Sequence, residues 1–400
     1  KEIAGEFNPD AFDARRFAEL VRDAGMKYVV VTAKHHDGFA MYHSEADPFN
    51  IVDATPYGRD PLKELAEACA EVGVGLGFYY SHFQDWTSPG GGRGPDHDEN
   101  GKRASFEDYF RRKCLPQVEE LTSRYGPLVL VWFDTPASIE EKYVDELMAV
   151  VRRNQPGALV NSRIGCGRGD YTSAGDMEVP LRNLEGLWEG CDTTNDSWSY
   201  AWYDENWKSP KQILERLVAT VARGGTYMLN VGPRGDGSVP ERCAAYLRAA
   251  GEWIQRYPEV IYGAAASPWR HALPWGDVTR QGDRLYLCVF DWPRDGALFL
   301  PGLETSVRSA VLLDGDERRD LPVARDNGWT RLSLPGRCPE PWASVIALDL
   351  DGPPEVTPVH GLDGVCATTL DMEFADVRGC EKKKRRWMEK FGEWKFAVEA

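Results

Sequence analysis

Residues 28–39, YVVVTAKHHDGF, join a short apolar run to two reactive side chains, His35 and His36. Three later runs end in the same way, on a tyrosine, an aspartate and an arginine: VGLGFYYS at Tyr79, LVLVWFD at Asp134 and ALVNSR at Arg163. Continuous apolarity is typical of strands that are covered on both faces of a parallel sheet. Because the carboxyl ends of such strands lie at one rim, we expect these four groups to border a single pocket, as in an enzyme.

Helices are predicted between these runs from capping residues and from apolar residues at helical spacing. Their starts are placed at Asp10, Asp60-Pro61, Ser105 with Asp108, Ser138 with Glu141, Ser209-Pro210 and Pro240, and a further strand at residues 227–231. Alternating strands and helices of this kind predict a (β/α)8-like, TIM-type barrel. Such a barrel starts with a strand, whereas the first element here is a helix over residues 10–24. Residues 1–7 are too charged for a buried strand, so we expect the barrel to lack its first strand.

The pattern changes after Tyr262. Five apolar runs follow without helical spacing, separated by Pro, Gly and Asp: RLYLCVF, GALFL, RSAVLL, TRLSL and SVIALDL. These runs predict a small C-terminal all-β sandwich. The chain is therefore divided into a barrel over residues 1–262, a sandwich over residues 263–351, and a linker with a partial C-terminal segment over residues 352–400.

Composition argues against several classes of partner. The formal net charge of −16 repels phosphate backbones, so no nucleic acid is expected. No apolar run reaches the roughly 20 residues that a membrane helix needs, so no membrane is expected either. The nine cysteines include no Cys-x-x-Cys pair. Since no phosphate loop or dinucleotide motif is present, we predict no cofactor.

Asp134 is the strongest candidate for a catalytic group. A rigid strand delivers its carboxylate to the rim, and Trp132, two residues earlier, faces the same side. The alternative is that Asp134 caps the following helix. That helix is predicted to be capped by Ser138, so the catalytic interpretation is favoured.

His35, His36 and Arg163 each have two interpretations. Two histidines beside Asp37 are candidate metal ligands, but neighbouring strand residues point to opposite faces and no second histidine cluster such as HxxxH is present. Neutral imidazoles both donate and accept hydrogen bonds, which suits the hydroxyls of a sugar and is the preferred reading. Arg163 either pairs with a structural carboxylate or belongs to the pocket, and its place at a strand end favours the pocket.

A second carboxylate is expected in or just after residues 165–188, which are predicted to form a long loop with little regular structure. The candidates are Asp170, Asp176, Glu178 and Glu189. Glycoside hydrolysis usually requires two carboxyl groups that flank the sugar linkage. The residues alone do not choose among these acids.

Five blocks together resemble the retaining α-L-fucosidases of glycoside hydrolase family 29: KYVVVTAKHHDGFAMYHS, VGLGFYYSHFQDW, LVLVWFDTP, LWEGC and GGTYMLNVGPRGDG. The resemblance covers roughly residues 5–350 and implies a (β/α)8-like barrel followed by a β-sandwich. It implies that Asp134 is the nucleophile and that five residues bind fucose: His35, His36, Tyr79, Trp132 and Arg163. The acid/base varies within the family, and the order of preference here is Asp176, then Glu189, then Glu178.

The resemblance implies an exo-acting hydrolase that releases terminal α-L-fucose from glycans or glycoconjugates by double displacement. Arg163 is expected to keep Asp134 ionised. The alternatives are a catalytically impaired fucose-binding barrel protein and, less favoured, a metal-dependent barrel hydrolase. The resemblance is compatible with a periplasmic, secreted or lysosomal-type location, and nothing in the sequence indicates the oligomeric state.

Overall fold

The computed structural model describes residues 2–180, 183–315, 317–326 and 328–358, together with the backbone of Glu381–Lys384 and Phe396–Glu399. The chain divides into two compact units, Lys1–Ser173 with Gly232–Ala244 and Ala174–Val231 with Ala245–Ala400. Most of the predicted linker and C-terminal segment, residues 352–400, lies outside the described residues. Across the described ranges, no helix is both long and apolar enough to span a bilayer.

The first unit contains a parallel sheet in the strand order β1-β2-β3-β4, formed by Tyr28–Lys34, Gly75–Ser81, Leu130–Asp134 and Leu159–Val160. Its helices are α1 (Ala14–Asp23), α2 (Pro61–Val72), α3 (Phe106–Tyr109), α4 (Leu115–Arg124) and α5 (Glu141–Asn154). A π-helical turn, Phe110–Cys114, joins α3 to α4. Residues Glu2–Glu6 form a 3-10 helix and not a strand.

Capping chemistry explains most of these helix starts. The Asp60 carboxylate accepts from the Leu62 and Lys63 amides at the start of α2, and Ser105 forms a reciprocal capping box with Asp108. The first helix begins at Ala14 with Asp13 as its N-cap, four residues later than predicted. The predicted capping box of Ser138 was wrong, because the chain after Asp134 first makes a turn and α5 begins only at Glu141, with Glu140 as an N-cap that makes no side-chain hydrogen bond.

The register of the sheet places its strand ends side by side. Tyr79 on β2 is paired with Trp132 on β3, and Ser81 is paired with Asp134. Alternate residues point the other way, so Phe78, Tyr80 and Phe133 are fully buried in an apolar core. The same register therefore directs one set of side chains into the apolar core and places the alternate set along the polar rim.

A three-stranded sheet, β5-β6-β7, is made of Thr172–Asp176, Trp188–Thr193 and Thr226–Asn230, and all of it except Thr172 and Ser173 belongs to the second unit. Strands β6 and β7 are parallel. Helix α6 (Pro210–Ala222) begins at the capping box of Ser209 and Gln212, and α7 (Glu241–Arg256) follows Pro240 as predicted. The prediction of a long loop over residues 165–188 was wrong for β5. That strand is rich in small and polar residues, which strand propensity disfavours, and it forms at the edge of its sheet through pairing with β6.

The strands described between residues 276 and 350 are antiparallel. They are β8 (Gly276–Gln281), β9 (Arg284–Val289), β10 (Ala297–Leu300), β11 (Val307–Asp314), β12 (Glu317–Asp320), β13 (Val323–Asp326), β14 (Trp329–Ser333) and β15 (Ser344–Leu350). They form sheets in the orders β12-β11-β15-β9-β8 and β10-β14-β13, and apolar side chains from both sheets share one core. Each of the five predicted apolar runs forms a strand. Closure of the parallel strands into a barrel and the boundary at residue 262 stay predictions.

Candidate active site

Asp134 lies at the last position of β3, where two different donors hold its carboxylate. The Tyr79 hydroxyl donates to Oδ2 at 2.7 Å, and Arg163 Nη1 donates to Oδ1 at 3.2 Å. The carboxylate keeps 14% of its side-chain surface exposed, so it is accessible as well as anchored. Asp134 is not the cap of α5, because that role falls to Glu140.

A layer of planar groups extends from Asp134 across the rim. The Tyr79 ring is stacked against His35 at 5.5 Å on one side and against Trp132 at 5.4 Å on the other. The guanidinium carbon of Arg163 lies 4.8 Å from the centre of the Trp132 ring. The structure thus brings together the residues that the four strand ends were predicted to contribute. Such a wall combines flat apolar faces with donors and acceptors at its edge, as sugar recognition requires.

His36 is held in one tautomer by the residues behind it. The Ser81 hydroxyl donates its single proton to the Gln84 carbonyl oxygen at 2.9 Å, and His36 Nδ1 lies 2.7 Å from the same hydroxyl oxygen. Nδ1 must therefore carry the proton and donate, which leaves Nε2 as an acceptor. Nε2 lies 3.8 Å from Asp134 Oδ2, on the side of the candidate nucleophile.

Burial keeps this pair of histidines neutral. Desolvation, assisted by the neighbouring His35, lowers the pKa of His36 to about 4, and desolvation also lowers the pKa of His35. At neutral pH the contact between His36 and Asp134 is consequently not an ion pair. A neutral His36 instead presents Nε2 as an acceptor for a hydroxyl group.

The expectation that His35 and His36 point to opposite faces was wrong. Strand β1 ends at Lys34, so the alternation of a strand no longer applies to the two histidines. Their rings lie 3.9 Å apart and both reach the rim. Among the described residues, no group of three or more His, Cys, Asp or Glu side chains is arranged to hold a metal ion.

A buried ionic cluster lies directly behind the histidines. Asp85 Oδ2 contacts Lys34 Nζ at 3.2 Å and Lys113 Nζ at 2.9 Å, and the side chains of Lys34 and Asp85 are fully buried. Lys113 Nζ also donates to the Gly38 carbonyl oxygen at 2.8 Å. Gly38 has φ of 83°, and a side chain there would collide with Asp85, so only glycine lets the two segments approach. Charge and backbone geometry together fix the turn that carries the histidines.

Trp86 is a pocket residue that the sequence did not reveal. Its ring lies 5.8 Å from that of His36, its backbone amide donates to the His36 carbonyl oxygen at 2.7 Å, and 48% of the residue is exposed. Its indole nitrogen donates to Gln84 Oε1 at 3.2 Å, which fixes the ring. The block FQDW after β2 was part of the recognised pattern. Only the structure, in which the exposed Trp86 ring lies beside His36, shows that Trp86 borders the site.

The candidate acids lie in different surroundings. Asp176 is exposed at the end of β5, where the Cys191 thiol donates to Oδ1 at 3.7 Å, and the Glu178 carboxyl lies beside Gly175. Glu189 lies within β6 and is only 1% exposed. Asp170 has a structural role in the first unit, because its carboxylate accepts from Arg152 at 2.6 Å and from the Val160 amide at 2.7 Å.

Comparison with known proteins agrees with the chemistry of this site. A family model described as alpha-L-fucosidase matches residues 1–259. The chain belongs to the α-L-fucosidase family. This α-L-fucosidase family member is accordingly a glycoside hydrolase.

Individual relatives extend the match of this family member into its C-terminal half. It is 30% identical over 340 residues to the tissue alpha-L-fucosidase of Rattus norvegicus, covering 79% of this chain and 70% of the rat protein. The crystal structure of the alpha-L-fucosidase from Vibrio sp. strain EJY3 is 36% identical, with a TM-score of 0.82, and the match covers 90% of this chain and 65% of the Vibrio chain.

A further family 29 structure holds a reaction intermediate. It is an alpha-L-fucosidase from Bacteroides thetaiotaomicron, a mutant in complex with 2-fluoro-fucosyl fluoride that shows a trapped covalent intermediate. This enzyme is 27% identical to the present chain, with a TM-score of 0.78, and the match covers 88% of this chain and 85% of that one.

Proposed function

We propose that this protein is an exo-acting, retaining α-L-fucosidase that removes terminal α-L-fucose from glycans or glycoconjugates. The observation that carries the proposal is the Asp134 carboxylate, held by Tyr79 and Arg163 and faced by the acceptor nitrogen of His36. A carboxylate anchored at both oxygens is kept in place for attack on a sugar carbon. The trapped covalent intermediate of the Bacteroides relative supports the same reaction type here.

The reaction would proceed in two displacements. An oxygen of Asp134 attacks the anomeric carbon of the fucoside, the bond from that carbon to the aglycone oxygen breaks, and an acid donates a proton to this oxygen. The same group, now a carboxylate, removes a proton from water, which attacks the anomeric carbon and releases Asp134. Donors from Tyr79 and Arg163 stabilise the carboxylate as it leaves. The product keeps the configuration of the substrate.

Four side chains around Asp134 would bind the fucose ring, together with Tyr79 and Arg163, which also hold the Asp134 carboxylate. His36 Nε2 accepts from one hydroxyl, and the neutral His35 ring adds a second donor or acceptor. The exposed ring of Trp86 would cover the apolar side of the sugar ring, whereas Trp132, which is only 4% exposed between Tyr79 and Arg163, would reach it only with its edge. The position of these groups at the ends of β1, β2 and β3 is the one expected for a (β/α)8-like barrel, and we propose that the parallel strands belong to such a barrel.

For the acid/base we propose Asp176 first, then Glu189 and Glu178. An acid that protonates a departing oxygen and later activates water must exchange protons with solvent. Asp176 is exposed to solvent, which supports placing it first. Glu189 on β6 is almost wholly buried. The 3.7 Å contact with the Cys191 thiol ties the Asp176 carboxyl to β6 and restricts its orientation.

Azide rescue tests both assignments with 4-nitrophenyl α-L-fucoside. Asp134→Gly should abolish turnover, and azide should then yield the β-fucosyl azide, because azide replaces the nucleophile. Asp176→Gly should instead yield the α-fucosyl azide, because azide attacks the fucosyl-enzyme. Glu178→Gln and Glu189→Gln serve as matched variants. Undiminished turnover in Asp134→Gly contradicts the nucleophile assignment, and an α-azide from either matched variant moves the acid/base to that residue.

A binding test separates hydrolysis from simple recognition. The wild-type protein should release fucose from the aryl fucoside, and the first-formed product should be the α-anomer by proton NMR. If the protein binds fucose in calorimetry and releases none from the aryl fucoside, the catalytically impaired alternative is correct. Loss of turnover on chelation, with its return on adding zinc, would favour the metal-dependent alternative.

A further inference from the structure

The chain makes a tight turn at the end of β5, and Asp176 lies within it. The Glu178 amide donates to the Gly175 carbonyl oxygen at 3.4 Å, so Asp176 and Met177 occupy the two central positions of the turn. A side chain at Gly175 would collide with the Glu178 carboxyl group, so glycine permits this close approach. We call residues 175–178 the acid/base turn.

Met177 adopts a backbone conformation that its residue type disfavours. Its φ is 59°, in the left-handed region that glycine and asparagine tolerate and that is strained for most other residues. Such a conformation persists only where the surrounding structure holds it, and it occurs often at functional sites. The residue is 7% exposed, so its side chain is buried as well. The acid/base turn therefore depends on contacts that keep Met177 in this strained state.

Two contacts hold Met177, one at each of its backbone groups. Its amide donates to the Cys191 carbonyl oxygen on β6 at 2.8 Å, and its carbonyl oxygen accepts from Arg216 Nη2 on α6 at 2.5 Å. The amide belongs to the peptide group that joins Met177 to Asp176, so the first contact also restrains Asp176. The second contact comes from a side chain, so a single substitution removes it and leaves the strands unchanged.

Arg216 is itself held in place by a buried carboxylate. Its Nε donates to Asp192 Oδ2, and Asp192 is only 2% exposed. The Tyr227 hydroxyl donates to the same oxygen at 2.8 Å, and Lys208 Nζ lies 3.4 Å from Oδ1. A guanidinium group carries its donors in a fixed plane, so the bond to Asp192 sets the direction in which Nη2 points. These residues and the acid/base turn all belong to the second unit.

We propose that Arg216 is a positioning residue for the acid/base, because it holds the turn that presents Asp176. This inference rests on the proposed function, in which Asp176 gives a proton to the aglycone oxygen and later takes one from water. A group that transfers protons must keep its place, since a displacement of about 1 Å can cost about 100-fold in rate. Arg216 acts through Met177 and transfers no proton itself.

Two aryl fucosides that differ in their need for an acid test the proposal. Phenyl α-L-fucoside releases a basic phenolate that must be protonated as it departs, whereas 2-chloro-4-nitrophenyl α-L-fucoside releases a stable phenolate without a proton. In Arg216→Met, kcat/KM should fall about 10-fold or more on the phenyl fucoside and change less than about threefold on the other. Asp176→Gly should show the same pattern in a stronger form.

A pair of substitutions at Met177 changes the same turn without altering Arg216. Isoleucine is β-branched and tolerates the left-handed region poorly, whereas asparagine tolerates it well. Met177→Ile should therefore reproduce the loss on the phenyl fucoside, and Met177→Asn should stay within about twofold of the wild type. Lys211→Met is the matched control, since it removes another cation of α6, one that pairs with Glu215 and Asp291. Thermal melting checks that each variant is folded at the assay temperature.

Three outcomes overturn the inference. Equal losses on both fucosides in Arg216→Met would mean that Arg216 supports the fold or the whole site. No loss on either fucoside would mean that the acid/base turn keeps its shape without Arg216. Equal losses in Met177→Ile and Met177→Asn would mean that the side chain of Met177 matters and its backbone conformation does not. Failure of the proposed acid/base is a separate result, because Asp176→Gly would then lack the selective loss on the phenyl fucoside.

Discussion

The Asn161 side chain pairs with both backbone groups of Phe133. Its Oδ1 accepts from the Phe133 amide at 2.9 Å, and its Nδ2 donates to the Phe133 carbonyl oxygen at 2.9 Å. Strand β4 ends at Val160, so the carboxamide replaces the next step of the backbone ladder. Phe133 precedes Asp134, and Asn161 lies two residues before Arg163. The fully buried side chain of Asn161 thus holds in place the two segments that carry Asp134 and Arg163, whose side chains are in contact.

We expect Asn161→Ala to lower both stability and turnover. It leaves a buried N–H and a buried C=O of Phe133 without partners, at about 1–3 kcal/mol for each group. Urea denaturation measures the loss, and the aryl fucoside assay should show a parallel fall in kcat. Asn154→Ala is the control, because this residue bonds to Glu119 and Thr122 in a partly exposed position on α5. An unchanged unfolding free energy in Asn161→Ala would contradict the role of the amide.

Substitution of two adjacent tyrosines on β2, Tyr79 and Tyr80, should distinguish a loss of activity from a loss of stability. Tyr79→Phe keeps the stacked ring and removes the donor to Asp134, so kcat/KM should fall roughly 10- to 100-fold, as expected for a hydrogen bond to a charged group. Tyr80→Phe removes a buried bond to Gln117 Oε1, 2.8 Å long, and should cost about 1 kcal/mol of stability with little change in kcat/KM. The prediction fails if the two variants show the same balance of effects.

Ser81→Ala should disturb sugar binding through His36. Without the hydroxyl, Nδ1 loses its acceptor and the proton is no longer confined to that nitrogen. We expect KM for the aryl fucoside to rise more than kcat falls. Nitrogen-15 NMR of the histidine ring should show a mixture of tautomers in place of the Nδ1–H form, and Ser81→Thr should restore it. A wild-type tautomer in Ser81→Ala would disprove the assignment.

The buried cluster behind the histidines should respond strongly to the loss of its anion. Asp85→Asn removes the carboxylate that pairs with the buried Lys34, whereas Lys113 keeps its ion pair with Asp47, and breaking a buried pair in this way typically costs about 3–5 kcal/mol. Replacing Lys34 by Met removes one charge and leaves the Asp85–Lys113 pair, so its cost should be smaller. Thermal unfolding of the two variants gives the order. Equal stability of Asp85→Asn and wild type would show that the cluster is not ionised as described.

Stability should fall as the pH drops from about 6.5 towards 4. Burial lowers the pKa of His82 from 6.5 to about 4, so the unfolded chain binds more protons than the folded chain in this interval. The shift corresponds to about 3 kcal/mol at neutral pH, fully present above pH 6.5. His82→Gln keeps a donor for the Ile164 carbonyl oxygen, which His82 Nε2 contacts at 3.0 Å. Urea denaturation at several pH values should show a shallower slope in this variant, and an unchanged slope would contradict the prediction.

At a still lower pH, protonation of Asp85 should reduce the stability of the fold further. Burial alone would raise the pKa of Asp85, but the charges of Lys34 and Lys113, and the hydrogen bonds from them, outweigh burial and hold it at about 2. Its contribution is present above pH 3.8 and is lost as the pH falls towards 2. The same denaturation series, extended below pH 4, measures this second step.

The sequence alone determined which residues end the strands and therefore reach the rim. Apolar runs and helix caps act over a few residues, so Asp134, Tyr79, His35, His36 and Arg163 could be chosen before any fold was known. Prediction failed where local signals were weak, as at β5, and where the chain turned before a helix, as at Ser138. The family motifs indicated glycoside hydrolysis, although they did not select one residue as the acid/base.

Only the tertiary structure decided how those residues are tuned. The tautomer of His36 depends on Ser81, 45 positions away, and the turn before it depends on an ion cluster between residues 34 and 113. Asn161 completes a ladder with a strand 28 residues earlier. Hydrogen-bond partners, burial and the pKa values that follow from them are set by which segments meet. Spacing along the chain does not encode that, because the register of one strand against another is fixed only when the core packs.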